Sequence, residues 1–553
     1  MIFNDKKTLP CWRKEFPQPA IKNRFFHIDL KGPKIPVHIL SSLLEQIARW
    51  GINGVVVEYE HRLPYLPLPQ QFPAYDRYKK SEIESLLEKA ESLGIEWIPL
   101  VQTFGHVEYL SRIKGTEDLF ENKNYPSQLC PSKENVKEYI RNLIDYICEL
   151  HPKSRYIHVG QDETHQLGFC PQCSKRMKKF RDRMDLYFDH VMFVWDEVFK
   201  HNRIPMSWGD MFAGYGRLDL VEKVDKRVIL LPWDYTSVDK TSKSVVYKGF
   251  RPSKKQFYNK YTEPEPLLTF VKSGQFFEDL DEEDIKKIGV GENEYPLGCG
   301  QIRIMARTGR PVWGTCAVYI SADMQLHANY IRGFLNPVQM CDVITSLGGD
   351  GIIGTLWARG HSFAPINAPW TLSLYNIAQF AAGSWTGKRS PEDLKKIADE
   401  ISYEIDMPKS FDKEWCLDDI LWTVSAPCSS SGLYSKIETL DNILEILKKQ
   451  DISGCFGEGL NLTLEAENIQ NNLRYILEEA RWWYSTRKEM PQMMKQDMRK
   501  RIQRFNSDIK RLKIPTEKYY LKWVGDKKSF NLWWENLFSL DIRIAKEVVQ
   551  LLK

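Results

Sequence analysis

Tyr156-Ile-His-Val-Gly-Gln-Asp-Glu-Thr164 reads as a short apolar strand that ends on two consecutive acids. Strand period two puts His158, Gly160 and Asp162 on one face, and Glu163 falls where the chain turns out of the strand. Seven further runs around it share the β-branched, aromatic character of strands: Phe25–Asp29, Gly54–Glu60, Trp97–Gln102, Ile204–Asp210, Val228–Trp233, Val312–Ala317 and Gly351–Trp357. Helix-like patterns lie between them. In Ser81–Leu93, Ile83, Leu86, Leu87 and Ala90 recur at helical spacing, and Lys133–Leu150 follows suit. Eight strand–helix alternations over about 350 residues predict an α/β fold, a (β/α)8 TIM barrel. The predicted barrel spans 24–386, after an N-terminal extension of 1–23. Tyr235 to Arg310 is too long for a plain crossover, so 236–310 reads as an elaborated connection between strands six and seven.

Beyond Gly387 the pattern becomes helical, and 387–553 reads as an α-helical C-terminal domain. Pro391–Ile405, Leu433–Lys449, Leu464–Lys488, Met493–Lys513 and Trp533–Leu552 are its predicted helices. In the fourth, Met498, Ile502, Phe505, Ile509 and Leu512 form an a/d-like stripe, with Arg499, Lys500, Arg501, Arg504, Lys510 and Arg511 on the other faces. A basic face of this kind can contact nucleic acid or membrane. A solvated face on a packed helix is the better reading, because acidic segments lie nearby.

Composition narrows the function classes. The 553 residues include 77 Lys and Arg against 73 Asp and Glu, a net charge of +4, which argues against a dedicated nucleic-acid or membrane-surface protein. No apolar run approaches the roughly 20 residues of a membrane span. Met1–Lys7 has no apolar signal-peptide core, so a cytoplasmic location is expected. Eleven scattered cysteines fit reduced thiols rather than a disulfide framework. The 17 Trp, 25 Tyr and 26 Phe supply many flat apolar faces, which suit a large core or sugar stacking.

In a barrel the chemistry sits at the C-terminal ends of the strands. Asp162 and Glu163 occupy that place. Adjacent carboxylates repel, so one of them is expected to hold a proton near neutral pH, as acid-catalysed glycoside cleavage requires. A pair of solvated acids opening a helix is the plainer alternative, but this pair ends an apolar strand with an inward His and Gly. The other strand ends add Glu58 and Glu60, Gly105-His106, Trp208 with Asp210, Trp233-Asp-Tyr235, and Trp357-Ala-Arg359. Tryptophans around a ring of acids suggest an aromatic box for the apolar face of a sugar.

His158-Val-Gly-Gln-Asp-Glu163 resembles the His-x-Gly-x-Asp-Glu signature of family 20 glycoside hydrolases, the β-N-acetylhexosaminidases. Arg24–Pro33, Gly54–Glu60, Ile98–His106 and Glu149–Pro152 are similar to the hexosaminidase D branch, and the likeness covers about residues 24–375. The resemblance implies an exo-acting enzyme in which the 2-acetamido carbonyl of the substrate attacks the anomeric carbon, giving an oxazolinium intermediate. It implies Glu163 as general acid and base, and Asp162 as the group that orients the acetamido N–H. Tyr235 would bind the acetamide oxygen, and Trp208, Trp233 and Trp357 would form the walls. His106 and His158 would support them. Arg24 would grip sugar hydroxyls. Two residues after the strand-eight Trp, where the lysosomal branch has an acid, this chain has Arg359, so the other hydroxyl contacts differ and are expected from Glu58, Asp210 or Asp234, with Arg359 beside them. The implied partner is a glycan or glycoconjugate ending in N-acetylhexosamine, without nucleic acid or membrane. A homo-oligomer stays open. The chemistry needs neither metal nor cofactor. Cys170-Pro-Gln-Cys173 therefore reads as loop thiols, since no second CxxC and no distant ligand pair is evident. Two alternatives remain: a two-carboxylate retaining glycosidase with Glu58 or Glu60 as nucleophile, and a non-catalytic sugar-binding barrel.

Overall fold

The computed structural model describes residues 8–214, 217–235, 244–248, 267–271, 299–306, 308–319, 326–387, 391–411, 415–425, 432–450, 452, 454–486 and 489–552. Ten strands are present among the described residues: β1 (Asn23–Asp29), β2 (Gly54–Glu58), β3 (Glu96–Leu100), β4 (Tyr156–His158), β5 (Ile204–Trp208), β6 (Ile229–Leu231), β7 (Ser244–Lys248), β8 (Leu267–Val271), β9 (Trp313–Tyr319) and β10 (Gly351–Leu356). Eight of them form one parallel sheet in the order β6-β5-β4-β3-β2-β1-β10-β9. Trp233 bridges Thr315 in parallel, and Asp234 N donates to the Thr315 carbonyl at 3.1 Å, closing β6 against β9. The fold is a (β/α)8-type barrel with a helical C-terminal region.

Inside the barrel, Phe25, Val56, Ile98, Leu100, Tyr156, Met206, Trp208, Leu231, Trp313 and Ile353 form a closed apolar plug. These are the inward residues of all eight barrel strands, as period two requires. Trp313 lies in this plug against Phe25, with ring centroids 5.3 Å apart, and is core filling. The rest of the 236–310 connection, apart from the antiparallel β7–β8 pair, 299–306 and 308–310, lies outside the described residues.

The N-terminal segment packs against the C-terminal end of the helix Val37–Trp50, where Arg13 Nη1 donates to the Ala48 carbonyl at 3.2 Å. Trp12 is fully buried and donates from Nε1 to the Trp50 carbonyl at 2.9 Å. The C-terminal helices pack on the flank. Cys455–Thr486 and Gln492–Trp523 are each longer than their sequence patterns suggest, the second running through Pro515. The stripe Met498, Ile502, Phe505, Ile509 and Leu512 is buried, and the basic face is paired: Arg501 with Glu479 and Asp497, Arg511 with Glu465. Contacts tie this region to the barrel. Trp50 Nε1 and Gln46 Nε2 donate to Glu404 at 2.8 and 3.1 Å, and Lys528 Nζ lies 3.2 Å from Asp76. Among the described residues no helix is long and apolar enough to cross a membrane.

Candidate active site

Strand β4 ends at His158, two residues before Gly160, and the chain then leaves extended geometry. Gly160, Gln161 and Glu163 have φ of +70°, +82° and +49°. The expectation that period two runs through Asp162 is therefore corrected: a tight turn, not the strand, aims the acid pair. A Cβ on Gly160 would stand 1.9 Å from Gln102 Oε1, so the turn needs glycine there. Gln161 anchors the turn from below. Its Oε1 accepts from Trp195 Nε1 at 3.1 Å and from Ser207 Oγ at 2.7 Å, and its carbonyl accepts from Tyr187 OH at 3.0 Å.

The loop after β3 lies directly on this turn, since a Cβ on Gly105 would meet the Asp162 carbonyl at 2.3 Å. That approach brings His106 to the acids, with Nε2 3.3 Å from Asp162 Oδ2 and 3.4 Å from Glu163 Oε2. Burial works against charge on His106, but the two carboxylates outweigh it and hold the imidazole well above its ordinary pKa. The hydrogen bond from His106 in turn lowers Glu163, against desolvation. Asp210, at the end of β5, accepts from Glu163 N at 3.2 Å. Burial first, then repulsion from Asp162 and Glu163, pushes Asp210 well above the carboxylate range. The expectation that one of the consecutive acids keeps a proton is thus corrected for Glu163. The acid held protonated is Asp210, because His106 bonds both members of the pair while Asp210 faces them from full burial.

A second polar layer crosses the mouth from β1 and β2. Glu58 Oε2 lies 3.2 Å from His27 Nε2 and 3.1 Å from Lys31 Nζ, while Oε1 accepts from Gln102 Nε2 at 2.9 Å. Lys31 Nζ also lies 2.9 Å from Asp29 Oδ2. Glu58 is buried and fully engaged, which corrects its expected role as a sugar contact. Desolvation opposes its ionisation, but Lys31 and His27 hold it low. Glu60 beside it is different. Burial pushes Glu60 up to about 8; Lys31 pulls the other way, and Glu58, Asp29 and Glu108 add to the rise.

The aromatic groups converge above these layers. Trp208 and Trp357 have ring centroids 6.0 Å apart, Trp233 stacks on Tyr235 at 5.1 Å, and Trp357 Nε1 donates to Tyr235 OH at 3.3 Å. Lys31 Nζ sits 4.5 Å from the Trp357 ring. His158 lies beneath, 4.4 Å from Trp208, with Nδ1 accepting from Gly160 N at 3.1 Å. Burial holds this imidazole down to about 3, so it is a neutral support. Arg359 is half-buried at the rim, where Nη1 donates to the Ser362 carbonyl at 2.9 Å. Ser362 Oγ in turn donates to Glu60 Oε2 at 3.0 Å.

Two sequence-predicted contacts are not brought to the mouth. Arg24 sits at the start of β1, the opposite end of the barrel. It donates to the carbonyls of Gly51, Ile21 and Lys22 at 2.8, 2.6 and 2.8 Å and lies over Trp385, so it is a structural arginine. Asp234 Oδ2 accepts from Cys299 N at 3.0 Å, tying down the connection after β6. Sequence reasoning missed Lys31 and His27 as site residues. Their signal was present: His27 and Asp29 alternate on one face of strand one, and Lys31 follows two residues after its end. The reading of Cys170 and Cys173 as loop thiols also lacked two neighbours that the fold supplies, Glu121 and Cys130.

Two carboxylates sharing one imidazole beneath tryptophan walls, at the open end of a barrel, suit the cleavage of a glycosidic bond, the chemistry of glycoside hydrolases. Residues 58–258 match the catalytic domain of glycosyl hydrolase family 20. The chain is 31% identical over 239 residues to hexosaminidase D of Bos taurus, covering 42% of this chain and 68% of the relative. It is 31% identical over 234 residues to hexosaminidase D of Homo sapiens, covering 41% of this chain and 48% of that one. A crystallographic chitobiase of Flavobacterium johnsoniae shares the fold at 12% identity and a TM-score of 0.50, over 95% of this chain and 78% of that one. The chain belongs to glycosyl hydrolase family 20.

Proposed function

We propose that the chain is an exo-acting, retaining β-N-acetylhexosaminidase that removes terminal β-linked N-acetylglucosamine or N-acetylgalactosamine. The barrel of 24–386 is its catalytic unit, and the helical region of 387–553 supports it from the flank. One observation carries the reading. Asp162 Oδ1 is buried without a hydrogen-bond partner beside Glu163, whose side chain is 41% exposed. A buried acceptor of this kind is costly until a donor fills it, and an acetamido N–H is such a donor.

In this reading Asp162 turns the acetamide so that its carbonyl oxygen attacks the anomeric carbon, and Tyr235 OH donates to that oxygen. An intramolecular nucleophile at high effective molarity replaces a second carboxylate. Trp208, Trp233 and Trp357 enclose the acetamide and the sugar face. Glu163 protonates the leaving oxygen and then activates water. Substrate covering Glu163 adds to the desolvation that already opposes its ionisation, so the proton on His106 Nε2 passes to Glu163 Oε2 across 3.4 Å. Arg359 at the rim supplies a hydroxyl contact. The two-carboxylate alternative has weaker support: Glu58 is held by Lys31, His27 and Gln102, and burial pushes Glu60 up to about 8, away from the ionised form a nucleophile needs.

The test is turnover of aryl N-acetyl-β-glucosaminide and N-acetyl-β-galactosaminide against plain β-glucoside, with a series of increasingly fluorinated acetamides. The reading expects cleavage of the acetamido sugars alone, and a rate that falls as fluorine drains charge from the attacking carbonyl. Equal cleavage of plain glucoside, or rates indifferent to fluorination, would overturn it.

A further inference from the structure

Outside the catalytic mouth, Glu121, Cys130, Cys170 and Cys173 meet in a buried cluster whose ligand atoms all lie within 4.8 Å of one another. Cys130 Sγ is 3.4 Å from Cys170 Sγ and 3.5 Å from Cys173 Sγ, and Cys173 Sγ is 3.1 Å from Glu121 Oε2. Tetrahedral ligands bound at zinc–sulfur and zinc–oxygen lengths stand about 3.5–3.8 Å apart, so this cluster needs only a slight expansion around an ion. The surroundings suit thiolates. Cys173 N lies 3.4 Å from Cys170 Sγ, and Ser132 Oγ lies 2.9 Å from Cys173 Sγ. Arg176 donates to Ser132 Oγ and to the Pro131 carbonyl at 3.2 and 3.0 Å, placing a cation beside a site that would be anionic overall.

A disulfide does not account for this set. It would join two of three adjacent thiols and leave the third facing Glu121, a carboxylate only 3% exposed. A buried carboxylate among thiols calls for a cation. We propose that Glu121, Cys130, Cys170 and Cys173 bind one zinc ion, each thiol releasing its proton to solvent as the metal enters. Four protein ligands fill a tetrahedral shell and leave no open position, so the site is structural. Soft thiolates select zinc over magnesium or calcium.

The location gives the metal a role. Glu121 and Cys130 belong to the loop after β3 that carries His106. Cys170 caps, and Cys173 lies in, the short helix Pro171–Met177 of the connection after β4, which also carries Asp162 and Glu163. The two loops also touch where Gln166 N donates to Gln128 Oε1 at 2.9 Å and Gln166 Nε2 to Ser127 Oγ at 2.7 Å. The ion would fasten the loop of the imidazole to the loop of the acids.

The direct measurement is elemental analysis of the full chain purified under reducing conditions. About one zinc per chain is expected. Zinc should be lost in Cys130→Ser and Cys173→Ser and kept in Cys148→Ser, which alters a buried thiol outside the cluster. Cobalt(II) in place of zinc should give an intense thiolate-to-metal charge-transfer band. Wild-type protein with no zinc and no such band, or Cys130 recovered in a disulfide with Cys170 or Cys173, would overturn the proposal. These readouts do not involve glycoside cleavage, so the site stands or falls independently of the activity.

Discussion

Asp162→Asn tests the electrostatic half of the proposed reaction. The exchange keeps the size of the side chain and removes one negative charge. Positive charge develops on the acetamido group as the oxazolinium forms, roughly 4 Å from the carboxylate in any pose that fills Asp162 Oδ1. At that separation and an effective dielectric of about 20 the attraction is about 4 kcal/mol. The side chain is 10% exposed at an open mouth, so screening reduces it. Doubling the dielectric leaves about 2 kcal/mol. The expected loss is therefore about 30- to 1,000-fold in kcat. His106 keeps its contact to Glu163 Oε2 at 3.4 Å, so the acid stays in place. Steady-state kinetics on both aryl N-acetylhexosaminides, with thermal unfolding as a control for folding, give the answer. A folded Asp162→Asn enzyme whose kcat is within roughly threefold of wild type on both sugars would refute the role, because no transition-state interaction would have been lost.

Three other substitutions separate chemistry from support. Glu163→Gln should lose about 10²–10⁴-fold in kcat/KM on substrates with poor leaving groups and much less on a dinitrophenyl glycoside, which departs without protonation; equal losses on both would remove Glu163 as the acid. Glu60 has a folded-state value raised to about 8, so between the ordinary carboxylate value and about 8 unfolding releases a proton and stability falls as pH rises. Glu60→Gln keeps the acceptor for Ser362 Oγ and should gain stability over wild type by up to about 1.4 kcal/mol per pH unit across that window, read as diverging melting curves; parallel curves would contradict it. Arg24→Ala leaves the Gly51 and Ile21 carbonyls without their side-chain donor, since Lys22 O keeps Asn53 Nδ2 at 3.0 Å, and removes the stack on Trp385, so it should cost about 2–4 kcal/mol of stability with KM unchanged in the folded enzyme; a raised KM at unchanged stability would return Arg24 to the sugar.

Periodicity is strongest where one face is buried and the other is not, and that governed what could be read from the chain. All eight barrel strands were legible because β-branched runs recur between amphipathic helices. Asp162 and Glu163 were legible because a strand end in a barrel is a privileged place. Pairings between distant segments were not. Arg24 and Asp29 lie close together in sequence, but β1 carries one to the floor of the barrel and the other to its mouth. Glu58 looked like a free acid until Lys31, His27 and Gln102 closed around it. Cys130 lies 40 residues from Cys170, and only the β3 and β4 loops bring the two thiols together.

The turn geometry at the mouth explains why local sequence could place the acids but not orient them. Glu60, His106, Gln161 and Glu163 all have positive φ, at +45°, +54°, +82° and +49°, and all follow the C-terminal ends of β2, β3 and β4. An extended strand sends neighbours to opposite faces. A left-handed residue breaks that alternation, which lets Asp162 and Glu163 both reach His106. Each such residue costs about 1–3 kcal/mol and persists only where the surroundings enforce it. Trp195, Ser207 and Tyr187 enforce it at Gln161, and Gln102 and Gly160 enforce it one residue earlier. The aim of the acids thus resides in residues that touch no substrate. Weakening that support, as Ser207→Ala would, should lower kcat through misaimed acids while leaving the aromatic box, and with it KM, in place.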